Sequence, residues 1–148
     1  MESIKDQNKV ESFSSNMKAH IFRLLPGQNL YKEIVNYVKE KNIQAACIIS
    51  CVGSLQKLNI RLASGLTFLQ KTENFEIVSL VGCLSPERIH LHICISDNNG
   101  VALGGHLTEE DNLIYTTAEI VLGEFTDVKF TQEHCEKSGY GELKIIIN

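Results

Sequence analysis

Three histidines stand within one short stretch, Arg-Ile-His-Leu-His-Ile-Cys-Ile-Ser-Asp-Asn-Asn-Gly-Val-Ala-Leu-Gly-Gly-His, residues 88 to 106. His90 and His92 alternate with Ile89, Leu91, Ile93 and Ile95. Successive side chains of a β-strand point to opposite faces, so one face here is aliphatic. The other carries two imidazoles about 7 Å apart along the strand, given a rise of ~3.3 Å per residue. Asp97-Asn98-Asn99-Gly100 supplies turn residues that tolerate positive φ. A chain reversal there returns His106, preceded by Gly104 and Gly105, beside the pair. Zinc takes neutral imidazole nitrogens at ~2.0–2.1 Å, and three protein ligands leave a fourth position for water or substrate. His90, His92 and His106 are therefore the candidate metal ligands, with zinc or another divalent transition metal as the cofactor. The competing reading is that His90 and His92 line a polar sheet face or an oligomer interface.

Other residues carry weaker chemical signals. Cys94 shares the histidine face and could ligate as thiolate, or simply pack as a small residue. Glu119 lies on one strand face with Thr117 and Val121, and reads equally as a carboxylate orienting an imidazole or as an exposed strand residue. In a catalytic site the metal would polarise a carbonyl or lower the pKa of bound water toward ~7, with Glu119 or Asp97 shuttling protons. Glu76 reads as a structural or interface hydrogen-bonding residue. Gly104 and Gly105 do not begin a phosphate loop, because no Gly-Lys-Ser/Thr follows. Cys47 and Cys51, four apart, read as core residues sharing one strand face. His20 and His134 read as ordinary packing or surface residues. No Ser-His-Asp or Cys-His ordering marks a nucleophile, so no catalytic residue is assigned.

The elements that must position the histidines are mostly strands. His20 to Leu25 reads as a first strand, stopped by Pro26-Gly27. Leu30, Ile34, Tyr37 and Val38 recur at helical spacing behind Asn29 as N-cap, and Lys41-Asn42 marks the helix end. Ala45 to Val52 is a continuous apolar run, expected to be a central strand buried on both faces. Leu58 to Leu62 alternates. Leu66 to Gln70 and Phe75 to Leu84 are expected to form a hairpin across the polar residues 71–74. The histidine strand follows, then Val101 to Leu107, Tyr115 to Leu122, Lys129 to Gln132 and Leu143 to Ile147. One early helix and many short strands indicate an α+β domain with a mainly antiparallel sheet and one principal flanking helix. Residues 1–16 are polar and aperiodic and read as a disordered tail, with a single domain over 17–148.

Composition narrows the function classes. The 148 residues suit one domain. No apolar run approaches the ~20 residues of a membrane-spanning helix, and the N-terminal segment lacks the apolar core of a signal peptide. Five cysteines, an odd number without any Cys-x-x-Cys, read as reduced thiols in a cytoplasmic or nuclear setting. A net charge of −4 with no basic stripe disfavours direct nucleic-acid binding.

The order of the segments resembles the PPC domain, the plants and prokaryotes conserved domain also called DUF296. The matching pieces are Arg23-Leu24-Leu25-Pro26-Gly27, Ser50-Cys51-Val52-Gly53-Ser54, Asn74 to Gly82, His90-Leu91-His92, Gly104-Gly105-His106-Leu107, Tyr115 to Ile120 and Gly139 to Leu143. They run in order from about residue 18 to 147. The resemblance implies an antiparallel sheet flanked by a helix, a homotrimer and, for the stand-alone microbial type, a metal at His90, His92 and His106. In plants the domain accompanies AT-hook segments and mediates self-association and contacts with transcription factors. This chain has no Arg-Gly-Arg-Pro AT-hook core, and Asn74 stands where the plant type carries Arg. Three functions follow as alternatives: a homotrimeric metal-binding domain, a DNA-associated or regulatory protein-interaction module, and a metal-dependent small-molecule hydrolase or lyase.

Overall fold

The structure is a computed structural model that describes residues 10–148. The first nine residues of the expected tail lie outside the described residues. Its last two are held down: the backbone N–H of Asn16 donates to Asp127 Oδ2 at 2.6 Å, and the Ser15 hydroxyl donates to the same oxygen at 3.1 Å.

In chain order the elements are β1 (Met17–Leu24), α1 (Leu30–Glu40), β2 (Ala46–Leu55), β3 (Leu58–Arg61), β4 (Phe68–Lys71), β5 (Phe75–Leu84), β6 (Ile89–Ser96), β7 (Ala102–Leu107), β8 (Ile114–Phe125), β9 (Val128–Cys135) and β10 (Tyr140–Ile147). The helix is set by its sequence. Asn29 accepts a hydrogen bond from Lys32 N at 3.0 Å, which caps an orphan donor of the first turn. Leu30, Ile34 and Val38, one face at successive turns, are fully buried. At the other end Asn42 adopts φ 51°, and the N–H groups of Asn42 and Ile43 donate back to Lys39 and Val38 at 3.1 and 2.9 Å. That is a Schellman cap with Asn in the left-handed position usually held by Gly.

Eight strands form one sheet in the order β1-β8-β2-β5-β6-β7-β3-β4, and each neighbouring pair is antiparallel. The α+β reading with one principal helix is borne out. Helix α1 packs its apolar face on one side of this sheet, in a core with Ile60, Leu80, Leu91, Ile93, Ile95, Ile120 and Leu122. Strands β9 and β10 form a separate two-stranded hairpin with its own small cluster, in which Val128, Phe130 and Ile145 meet Ala45 and Cys83. Cys83 alternates with the core-facing Leu84, so this hairpin covers part of the opposite sheet face. Among the described residues no helix is long and apolar enough to cross a membrane.

Two bulges correct the sequence reading. In β2 the pairing with β8 shifts between Ile48 and Ser50, and in β5 the pairing with β6 shifts between Ile77 and Ser79. An extra residue reverses the in/out parity of everything after it. Strand β2 is therefore not buried on both faces: Ile49 is 51% exposed and Val52 59%. Cys47 and Cys51 do not share a face, since the bulge lies between them. Cys51 enters the main core, whereas Cys47 stands directly across from Cys83. The expected hairpin between residues 66–70 and 75–84 also fails. Strand β4 pairs with β3, and β5 pairs with β2 and β6. Local alternation identifies strands but not their partners.

Candidate metal centre

Strand β6 alternates without interruption, burying Leu91, Ile93 and Ile95 in the core and turning His90 and His92 to the hairpin-covered face. The turn at 97–100 forms as its residues dictate. Asp97 Oδ1 accepts from the N–H groups of Asn99 and Val101 at 2.8 and 2.9 Å, and Gly100 takes φ 77°. Strand β7 then returns in the register that sets His106 directly opposite His92. Two glycines permit the close packing this requires. A Cβ on Gly82 would come within 1.9 Å of the His90 carbonyl oxygen, and one on Gly105 within 2.7 Å of the Arg61 carbonyl oxygen.

The three imidazoles are brought together. One ligand nitrogen from each of His90, His92 and His106 lies within 4.8 Å of the other two. The Nε2 atoms of His90 and His92 are 3.3 Å apart. Two nitrogens at ~2.0–2.1 Å from a tetrahedral zinc lie ~3.3 Å from each other, so this pair already spans one edge of such a site. His106 Nδ1 is buried and has no hydrogen-bond partner among the described residues. A buried polar nitrogen without a partner costs free energy that a ligand can recover. The donor set and spacing thus fit a three-histidine metal site.

Electrostatics keep the cluster ready to donate lone pairs. Burial, and then the Arg61 guanidinium and the neighbouring imidazoles, hold the His106 pKa down at about 4. Burial, followed by Arg88 and His92, lowers that of His90 as well. Neutral imidazoles are the ligating form. Arg88 Nη2 donates to His90 Nδ1 at 3.0 Å. A guanidinium cannot accept, so the network assigns the His90 proton to Nε2, on the side of His92.

Cys94 lies on the strand but outside the cluster; its thiol is 3.9 Å from the Ile95 carbonyl oxygen. The two carboxylates considered as proton shuttles are elsewhere. Asp97 caps its own turn and lines a separate cavity of about 600 Å³ with Ser54, Glu76 and Tyr115. Glu119 belongs to β8, three strands from β6, beside Arg23 and Val52. His20 is a packing residue, its Nε2 2.8 Å from Glu124, and His134 is exposed.

Residues that sequence reasoning passed over complete the site. Arg61 is the register partner of His106, and Arg88 precedes His90 by two residues on the same face. Hairpin residues Gln132, Tyr140 and Glu142 wall a cavity of about 300 Å³ with Arg61, Arg88, His90 and His106. A second cavity, of about 320 Å³, exposes His90 and His92 between Val81, Cys83 and Leu143. The parity of Arg88 was available in the sequence. Arg61 carried no such signal, because its place depends on the pairing of β3 with β7.

The comparisons with known proteins follow the same lines. The family model for the Plants and Prokaryotes Conserved (PCC) domain matches residues 11–126. The bifunctional protein GlmU of Synechococcus sp. (strain JA-3-3Ab) is 38% identical over 132 residues, covering 89% of this chain and 21% of that protein. The chain thus spans about a fifth of the length of that curated relative. A hypothetical protein from Salmonella cholerae-suis is 36% identical with a TM-score of 0.89, over 93% of this chain and 99% of the other. A structure from Archaeoglobus fulgidus, described as a metal-containing protein, has 24% identity and a TM-score of 0.73, covering 92% of this chain and 99% of its own. One from Bacteroides thetaiotaomicron, offered as a candidate DNA-binding protein, has 21% identity and a TM-score of 0.74, covering 88% and 96%. These last two share the fold. With the family model spanning most of the chain and the Salmonella protein alike from end to end, the chain belongs to the Plants and Prokaryotes Conserved domain family.

Proposed function

We propose that this domain binds a divalent metal, zinc by preference, through His90, His92 and His106. The observation that carries the reading is the convergence of three imidazole nitrogens within 4.8 Å. A metal there would supply Lewis acidity to a bound oxygen. The chain's own residues favour the neutral form of His90 and His106, orient His90 through Arg88 and leave cavities open on either side of it. That arrangement favours a small-molecule hydrolase or lyase as the form any catalysis would take. In this reading residues 17–148 form one domain and the setting is cytoplasmic; the five free thiols support an unoxidising compartment.

Homotrimerisation belongs to the same proposal. Ile21, Ile49, Val52, Val78 and Val81 are each more than half exposed, an apolar surface of the kind that mates with another copy. Elemental analysis of protein purified without a histidine tag tests the metal site. About one metal per chain, lost in the His90→Ala/His92→Ala/His106→Ala variant, is the expected result; equal metal content in the two proteins would refute it. Light scattering is expected to give three chains' mass, and a single-chain mass would remove the trimer.

A second reading, a DNA-associated regulatory module, is favoured by the fold shared with the Bacteroides protein. The net charge of −4 argues that such a role would run through a protein partner. A gel shift that is tight at low salt and falls steeply with added salt would reverse this ranking.

A further inference from the structure

The cavity on the β7 side of the imidazoles contains more positive charge than a metal site gains from. Arg61 and Arg88 both line it with His90 and His106. A guanidinium does not lose its proton, so both charges are permanent. Placed against imidazoles that would hold a divalent cation, they repel the metal. Their own needs are only partly met, Arg88 donating to His90 Nδ1 at 3.0 Å. Arg61 Nε is buried and has no hydrogen-bond partner among the described residues. The Arg88 side chain is only 11% exposed, and its nearest carboxylate, Glu142 on the hairpin, is 4.0 Å away and itself 47% exposed. Buried charges of this sort are ordinarily paired and hydrogen-bonded.

We propose that this cavity is the binding site of a small oxyanion, a phosphate or carboxylate group of the molecule the protein acts on, received by Arg61 and Arg88 beside the imidazole cluster. The inference deepens the metal-site reading and rests on it for the role of His90, but the arginine site can be tested without metal. Three features fit. Guanidinium forks match carboxylate and phosphate geometry through paired N–H groups, which a lysine would not. The volume of about 300 Å³ lies at the lower end of that of metabolite-sized pockets. Gln132 and Tyr140, both from the hairpin, line the same wall with polar side chains, the usual kind of residue that fixes a ligand's orientation.

The hydrogen-bond network also links the two ligands. Without metal, Arg88 donates to His90 Nδ1 across 3.0 Å, and the His90 proton faces His92. If His90 lends Nε2 to a metal, its proton moves to Nδ1, and two donors then face each other. An oxyanion oxygen between them accepts from both. Metal and oxyanion therefore bind more tightly together than apart, each by the same factor.

Calorimetric titration of inorganic phosphate, and separately of acetate, into metal-free and zinc-loaded protein tests this. Saturable binding by wild type is expected, tightened severalfold by zinc. Arg61→Met and Arg88→Met are expected to weaken it at least tenfold, while zinc content in Arg61→Met stays at the wild-type value. Arg61→Lys, which keeps the charge and loses the fork, is expected to fall between. Preference for phosphate over acetate assigns a phosphate-bearing ligand, and the reverse a carboxylate. Zinc-loaded wild type that binds neither anion, or Arg61→Met that binds phosphate as wild type does, overturns the oxyanion site while leaving the metal site standing. Arginine-dependent phosphate binding by a protein that takes up no zinc supports the oxyanion site and ends the metal reading alone.

Discussion

Acid should destabilise the metal-free protein through His106, and the size of the effect follows from its surroundings. In the unfolded chain this imidazole titrates near 6.5, and in the folded protein near about 4. Between those values the unfolded chain binds a proton that the folded one refuses. Stability due to this group is therefore complete above pH 6.5 and lost as pH falls toward 4. At 1.36 kcal/mol per pKa unit the loss has a ceiling of about 3 kcal/mol, and solvent reaches the half-buried ring enough to reduce it to ~1–2 kcal/mol. Urea unfolding of wild type and His106→Gln, each at pH 7.0 and pH 4.5 in chelator, measures it. Wild type should lose ~1–2 kcal/mol more than the variant across that interval. Equal losses would refute the claim that burial and Arg61 keep this imidazole uncharged.

Gly82→Ala should unfold or severely destabilise the protein, because its Cβ meets the His90 carbonyl oxygen at 1.9 Å; a melting temperature within about 2 °C of wild type would contradict this. Asn112→Ala should cost ~2–3 kcal/mol in urea unfolding. The side chain is fully buried, accepts from Asn59 N at 2.8 Å and donates to the carbonyl oxygens of Asn59 and Thr108 at 3.0 and 2.9 Å. Glu119→Gln should leave zinc affinity within about twofold, since β8 lies three strands from β6; a loss in the ~10–100-fold range typical of ligand-orienting partners would show that it reaches the imidazoles.

The histidine site was legible because its parts are local. Strict alternation from Ile89 to Ile95 places two imidazoles on one face, and Asp97 to Gly100 encode the reversal that returns His106. The helix was legible for the same reason: Asn29, Leu30, Ile34 and Val38 state its start and its buried face within a few turns. What escaped was decided at a distance. Arg61 reaches the site only because β3 is the far neighbour of β7, and no residue near position 61 encodes that. The bulges escaped because Ile49 and Val78 are ordinary strand residues with no turn chemistry to announce an irregularity. Glu119 and Asp97 drew notice as carboxylates, and strand order, not residue type, separates them from the imidazoles.

The two bulges have a shared arithmetic. Cys47 pairs with Cys83 on one side of them and Gly53 with Ile77 on the other. Five residues of β2, 48 to 52, thus face five of β5, 78 to 82, so the two central strands stay in step with each other although each has slipped against its outer neighbour. The slips match because each strand carries one extra residue within the same stretch. Losing one residue from β2 alone would put every later side chain on the wrong side of its neighbour, and so would losing one from β5 alone. Only a matched pair of losses restores alignment between the two. Length changes in these two strands are therefore expected to be tolerated only in pairs.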